Sequence, residues 1–223
     1  LVKRGDVVEV IAISHDEKIP LGEDVVAGVR VFRIQRRLHD ESGKWAYAFR
    51  LLRFFLRSSV LLARRQAQKR YDLIHVHNIP DWLVFSAWYP KIAGARIILD
   101  IHDIVPELFA NKFHAKEDGA YVRLLKGVEK VSAMFSHHVI VANHLWEGKL
   151  TSRSVPPQKC SVILNHIDPT VFYRRARTRS DQKLVMLFPG TWQWHQGLDI
   201  AIAALGHLKD TLPHAELHLY GVG

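Results

Sequence analysis

Short runs of β-branched and apolar residues, each closing on or followed directly by a polar or charged residue, recur through the middle of this chain. They fall at residues 72–77 (DLIHVH), 95–100 (ARIILD), 138–142 (HVIVA) and 160–164 (CSVIL). Between them the apolar spacing changes to a helical period, from about residue 82, over 121–135 and from about residue 145. Strand, helix, strand at this spacing implies crossover connections and a parallel sheet. The fold class expected for this part is α/β, with a doubly wound parallel sheet.

The flanking segments extend the pattern. Residues 6–14 (DVVEVIAIS) read as a strand behind Lys3, Arg4 and Gly5, a basic helix end with glycine at the stop. A second short strand is expected over 25–34, followed by a helix over 45–69 whose apolar residues occur nearly all round. A charged tract at 173–183 (YRRARTRSDQK) lacks the apolar residues of a core element and reads as a linker. After it a new unit opens, with a strand at 184–188, a turn at Pro189 and Gly190, a helix over 198–208 and a strand at 216–220. The expected organisation is a first domain over 1–172, a linker over 173–183 and the opening βαβ of a second domain over 184–223. The chain begins in what reads as mid-helix, Leu1 is not a start methionine, and Gly223 lies where a βαβ unit would turn into its next helix. A piece cut at both ends is therefore expected.

Composition narrows the functional classes. Apolar residues make up 48% and charged residues 24%, the balance of a globular chain with little room for long disorder. Cys160 is the only cysteine, so no internal disulfide forms and a reducing, cytoplasmic setting is expected. No run approaches the roughly 18 apolar residues of a spanning helix, and no charged-then-apolar leader opens the sequence. A net charge of +9 calls for an anionic partner: nucleic acid, a membrane surface or a phosphorylated substrate. No nucleic-acid reading motif is present, and nucleic acid is not an expected partner. The helix over 45–70 sets Arg50, Arg53, Arg57, Arg64, Arg65, Lys69 and Arg70 among leucines and phenylalanines. That pattern suits peripheral docking on an anionic bilayer at the inner face of a membrane, or equally a core-facing helix with solvated arginines.

In open parallel sheets, ligands bind beyond the carboxyl ends of the strands, and four such positions carry chemistry here. The first is His75, His77 and Asn78, where alternation puts both imidazoles on one strand face. Without a third ligand the pair reads as structural, and no metal is expected. The second, Asp100, His102, Asp103 and Glu107, sets three acids and an imidazole behind a buried strand. Asp103 either serves the site or caps the helix beginning near Pro106, with Glu107 favoured by that helix's dipole. A cap does not explain His102, which can hydrogen-bond a substrate hydroxyl or respond to developing charge. The third, Asn165, His166 and Asp168, has a self-capped turn as its ordinary explanation. The fourth is the loop from Gly190 to Gly197, either a tight turn or an anion site of bare amides at a helix N-terminus.

These segments, in this order and across a linker, resemble the retaining group 1 glycosyltransferases of the GT-B architecture. The resemblance rests on 4–12 (RGDVVEVIA), 71–77 (YDLIHVH), 100–103 (DIHD), 165–168 (NHID) and 189–198 (PGTWQWHQGL), and it covers nearly the whole chain. It implies transfer of a sugar from a nucleotide-sugar donor to a carbohydrate or lipid-linked acceptor, with retention and with neither cofactor nor catalytic metal. Polysaccharide, lipopolysaccharide or glycolipid biosynthesis is the implied setting. His102, with Asp103, takes the catalytic place near the donor sugar. Gly190, Thr191, His195 and Gln196 border the diphosphate, Gly221 approaches the nucleotide, and His77, Asn78 and Asn165 line the acceptor side.

The departures carry consequences of their own. The family's usual lysine stands where this chain has Gln196, its arginine is missing near Thr191, and His166 replaces the turn glycine. His195 is the local candidate to stand in for those cations. The family's first strand and its paired-glutamate motif fall outside this sequence, so the chain alone is expected to be inactive. A break in the sheet is expected between the strands at 7–13 and 73–77. The competing readings are a non-catalytic remnant of the fold and a basic surface-binding module.

Overall fold

The computed structural model describes residues 1–14, 16, 18–37, 44–116, 118–174, 176, 180, 181, 183–192 and 196–222, with nothing said of the side chains of residues 44 and 45. The chain divides into two compact units, Leu1–Asn165 and His166–Gly223.

The first unit is built around four parallel strands, β4 (Leu73–His77), β5 (Arg96–Ile101), β6 (His138–Val141) and β7 (Cys160–Val162), in that order across the sheet. β5 lies second in the order, and every second side chain along it is buried. Ile97, Leu99 and Ile101 are at most 1% exposed, and each such side chain stabilises the fold by about 1.5–3 kcal/mol. They share a core with Val139 and Val141 of β6, Ile74 of β4, Leu150 and Leu62. Crossovers run through a 3-10 turn (Asp81–Ala87) into α2 (Trp88–Ile92), through α3 (Val105–Lys112) and α4 (Ala120–Phe135), and through α5 (His144–Thr151). The helix expected from residue 82 is thus mostly 3-10, continued by one short α-helical turn.

A separate three-stranded sheet precedes this one. β1 (Glu9–Ser14) pairs in parallel with β3 (Val29–Arg36), and β2 (Gly22–Val26) pairs antiparallel with β3. Here the single strand expected over 25–34 is corrected to a hairpin. Ala27 and Gly28, at φ 50° and 81°, reverse the chain in the left-handed conformation that suits two-residue hairpin turns. Among the described residues no ladder joins β1 to β4, so the expected break in the sheet is present. Side chains bridge the two layers instead. The Glu9 carboxylate, at the start of β1, accepts hydrogen bonds from Arg65 and from the Tyr71 hydroxyl just before β4. Burial pushes the Tyr71 phenol up to about 12, and the Glu9 carboxylate adds to that rise. The long helix α1 (Lys44–Lys69) is docked on β3 by Gln35 Nε2, which donates to the Arg50 carbonyl at 3.0 Å.

One ion-pair network crosses the core. Glu129 of α4 is 1% exposed and accepts from Arg153 Nε at 2.9 Å and Nη2 at 2.7 Å, while Arg153 also grips Glu107 of α3. Ser154 Oγ donates to Glu129 as well. Desolvation raises the Glu107 carboxyl, but the Arg153 hydrogen bonds outweigh it and hold the group below its ordinary value.

The second unit contains β8 (Leu184–Pro189), α6 (Leu198–Leu208) and β9 (Ala215–Tyr220), a right-sized βαβ element with the two strands parallel. No helix among the described residues is long and apolar enough to cross a membrane.

Replacing Arg153 by methionine leaves Glu129 buried without its cation. Urea denaturation is expected to show a loss of about 3–5 kcal/mol, the cost of orphaning one half of a buried pair.

Candidate functional site

β4 and β5 pair with His77 opposite Asp100, so both strands end at one level and release their loops side by side. Alternation along β4 sends Ile74 and Val76 towards the core and leaves His75 and His77 exposed on the other face. Asp100 projects to the same face as its partner His77. Its Oδ2 lies 3.0 Å from His75 Nε2, 3.3 Å from His77 Nδ1 and 3.7 Å from His102 Nε2. The rings of His75 and His77 stack with centroids 4.5 Å apart, and His77 Nδ1 lies 3.0 Å from His102 Nε2. Three imidazoles thus surround one carboxylate oxygen. Burial depresses the His77 pKa, the neighbouring His75 and His102 depress it further, and Asp100 works against them.

Asn78 fixes the loops that carry these groups. Its amide nitrogen donates to the Asp103 carbonyl at 2.7 Å and to Asp81 Oδ1 at 2.8 Å, and its Oδ1 accepts from the His102 backbone at 2.9 Å. The Asn78 backbone donates to the Asp100 carbonyl at 2.9 Å. One side chain therefore sets the position of both His102 and Asp103. Asp81 is 3% exposed, and burial pushes its carboxyl up to about 6 against the opposing pull of the Asn78 amide.

Asp103 does not cap α3. The cap position is Ile104, no side chain bonds there, and Glu107 in the first turn is taken by Arg153. Asp103 instead edges a cavity of about 530 Å³ shared with Glu107, Asn111, Trp146 and Lys149.

The sequence places His75 and Asp100 at strand ends that carry chemistry but assigns neither a role in the site. Strand parity put His75 beside His77, but only the β4 to β5 register, which a sequence does not state, puts Asp100 between them. Asn165 is exposed at the end of the first unit and is not drawn into this cluster. Beyond it, Asp168 closes its own turn by accepting from Thr170 N at 2.8 Å and Thr170 Oγ1 at 2.7 Å.

In the second unit, Gly190, Thr191 and Gly221 are brought together. Gly190 N donates to the Tyr220 carbonyl and Trp192 N to the Val222 carbonyl, both at 2.9 Å. A Cβ on Gly221 would fall 1.7 Å from the Gly190 carbonyl oxygen, so only glycine fits there. Gln196 is exposed and immediately precedes Gly197, which enters α6 at φ 70° with no side-chain cap. His195 lies outside the described residues.

The buried Asp81 generates a pH test. Its folded pKa near 6 exceeds its unfolded value, so the native state holds the extra proton between about pH 4 and 6 and loses that stabilisation as pH rises through this window. Asp81→Asn is expected to remove this decline, seen as a flatter difference in denaturation midpoint between pH 4 and pH 7.

A profile of the family described as Glycosyltransferase Family 4 matches residues 1–171. Among curated proteins, the glycogen synthases of two Mycobacterium tuberculosis strains, CDC 1551/Oshkosh and ATCC 25618/H37Rv, are each 25% identical over 211 residues. The match covers 92% of this chain and 50% of theirs. The chain therefore spans about half the length of these relatives. Among solved structures, a sucrose-phosphate synthase from Thermosynechococcus elongatus superposes with a TM-score of 0.70 at 18% identity, over 98% of this chain and 53% of that one. HepE of Anabaena, solved in complex with UDP and glucose, gives 0.52 at 16%, over 86% and 48%. These likenesses establish the fold as GT-B, and the profile match, running through both loops that hold the histidine cluster, establishes the lineage: the chain belongs to Glycosyltransferase Family 4.

Proposed function

We propose that this chain supplies the acceptor-side unit, and the opening of the nucleotide-binding unit, of an enzyme that moves a sugar from a nucleotide-sugar donor to a carbohydrate or lipid-linked acceptor. Transfer proceeds with retention, without cofactor and without a metal in the chemical step, in polysaccharide, lipopolysaccharide or glycolipid biosynthesis in the cytoplasm. The observation that carries this reading is the Asn78 staple. It presents His102 and Asp103 at the carboxyl end of a buried parallel strand, where a family member has reason to hold them rigidly.

His102 hydrogen-bonds a hydroxyl of the donor sugar and responds to charge developing at its anomeric carbon. Asp103 orients the sugar beside it. Gly190, Thr191 and Gln196, with the bare amides entering α6, border the diphosphate, and Gly221 keeps backbone rather than side chain next to them. His77 and Asn78 serve the acceptor side, and Asn165, at the end of the first unit and outside their cluster, is a separate acceptor-side residue. The UDP and glucose bound to HepE support a nucleotide-sugar as the donor class.

Residues 1–223 are expected to be inactive alone, because the chain spans half the length of its curated relatives and its first unit holds two sheets where one continuous sheet would frame the site. Isotope-labelled protein titrated with UDP-, ADP- and GDP-sugars is expected to shift the amides of His102 and Gly190 without release of free nucleotide. Turnover by this chain overturns the inactivity; silence of both amides towards every donor overturns the donor site.

A peripheral membrane contact through residues 45–70 is a second reading, favoured by one observation. Phe49, Leu52, Leu56 and Val60 are exposed at helical spacing along α1, beside exposed Arg53 and Arg64. Vesicles containing phosphatidylserine are expected to sediment the protein, and pure phosphatidylcholine vesicles are not. Leu56→Asp should weaken that binding by about tenfold, and equal binding to both vesicle types would remove the electrostatic part of the reading.

A further inference from the structure

One strand alone gives His75 and His77 no third ligand, and the fold supplies it in Asp100. We propose that His75, His77 and Asp100 form a three-ligand binding site for a late first-row divalent cation of the Zn²⁺ class, with the fourth position open to water, at the carboxyl ends of β4 and β5. This rests on the geometry of the cluster; it leaves His102 to the donor sugar and takes only His77 from the residues assigned to sugar transfer.

The distances suit a three-ligand site with an open fourth position. A tetrahedral ion with bonds of about 2.0–2.1 Å needs neighbouring ligand atoms about 3.3 Å apart. Asp100 Oδ2 lies 3.0 Å from His75 Nε2 and 3.3 Å from His77 Nδ1. The ligand atoms of His75, His77 and Asp100 all lie within 4.8 Å of one another. Small rotations of exposed rings bring these spacings to the tetrahedral value.

Ligand chemistry selects the ion. Two imidazoles and one carboxylate suit Zn²⁺ and its neighbours, whereas Mg²⁺ and Ca²⁺ prefer sites built from oxygen. The scaffold is also sound for a metal. His75, His77 and Asp100 stand on paired strands, so the ligands are positioned before binding. The exposure of His75 and His77, 38% and 60% at the side chain, leaves an entry path.

The chain has 14 histidines, so weak binding elsewhere must be separated from this site. Metal-free protein is titrated calorimetrically with Zn²⁺ and, for geometry, with Co²⁺ followed by visible absorption. One equivalent is expected to bind with the intense d–d bands of tetrahedral Co²⁺, and Mg²⁺ should not compete. His77→Ala and Asp100→Asn should each weaken Zn²⁺ binding at least about tenfold and abolish the Co²⁺ bands. His144→Ala, on the exposed start of α5, should change neither. If His77→Ala fails to fold, His75→Ala carries the same test, because the His75 side chain is exposed on the face of β4 away from the core. Absence of a one-equivalent event, octahedral Co²⁺ spectra, or binding that survives removal of His75 or His77 overturns the site. Equal binding of Mg²⁺ overturns the assigned class of ion.

Discussion

The parallel ladder between β4 and β5 is the constraint on which the chemistry of the first unit depends. Each strand is short, and neither carries a site by itself. Paired with His77 opposite Asp100, they end together, and two loops of unrelated sequence become neighbours. The ladder is held in place by burial: Ile97, Leu99 and Ile101 lock β5 into the core, and a slip of one residue would turn Asp100 inward and a leucine outward. Asn78 then continues the pairing past the strand ends, with its backbone on Asp100 and its side chain on both His102 and Asp103. The site is therefore as rigid as the sheet beneath it. Its polar members remain accessible because they occupy the opposite face from Ile74 and Val76.

A different balance governs how the remaining elements attach. The β1 to β3 layer meets the four-stranded sheet through side chains and not through a ladder. Glu9 gathers Arg65 and Tyr71 around one carboxylate, and Ile11 packs against the main core. On the far side of the core, Arg153 draws α3 and α4 to its own segment through Glu107 and Glu129. Buried ion pairs of this kind add little net stability over an apolar equivalent, because desolvation of the charges consumes much of the attraction. Each edge of the Arg153 guanidinium is held by a separate carboxylate, which fixes α3 and α4 against the segment that carries it.

Much of this was legible in the sequence, and the reason is periodic. The strands of the parallel sheet, α4 and α6 each carry enough apolar residues in one register to identify themselves within a residue or two. The hairpin of β2 and β3 was read as one strand because Ala27 and Gly28 form a weak turn signal, and the apolar residues on either side keep alternating through it. The 3-10 turn at Asp81–Ala87 escaped for a similar reason: its apolar content fits a helix, and the tighter winding leaves no trace in composition. Asp103 looked like a cap because it stands near a proline that opens a helix. Nothing local said that Asn78, just beyond another strand, would hold its backbone. The histidine cluster was half visible, since parity gives one strand's face but never its neighbour's register.

The two units use the same position, the carboxyl ends of parallel strands, with opposite residue types. In the first, the strand ends carry imidazoles and carboxylates, and their side chains converge. In the second, Pro189 is opposite Tyr220, and the chain beyond them is glycine on both sides. There the strand ends approach so closely that a single methyl group on Gly221 would overlap the Gly190 carbonyl. The first arrangement presents groups that exchange protons or donate lone pairs; the second presents main-chain amides and carbonyls, whose polarity is fixed and independent of pH. Side-chain identity decides what the first loops can do. Backbone shape, protected by the absence of side chains, decides it for the second.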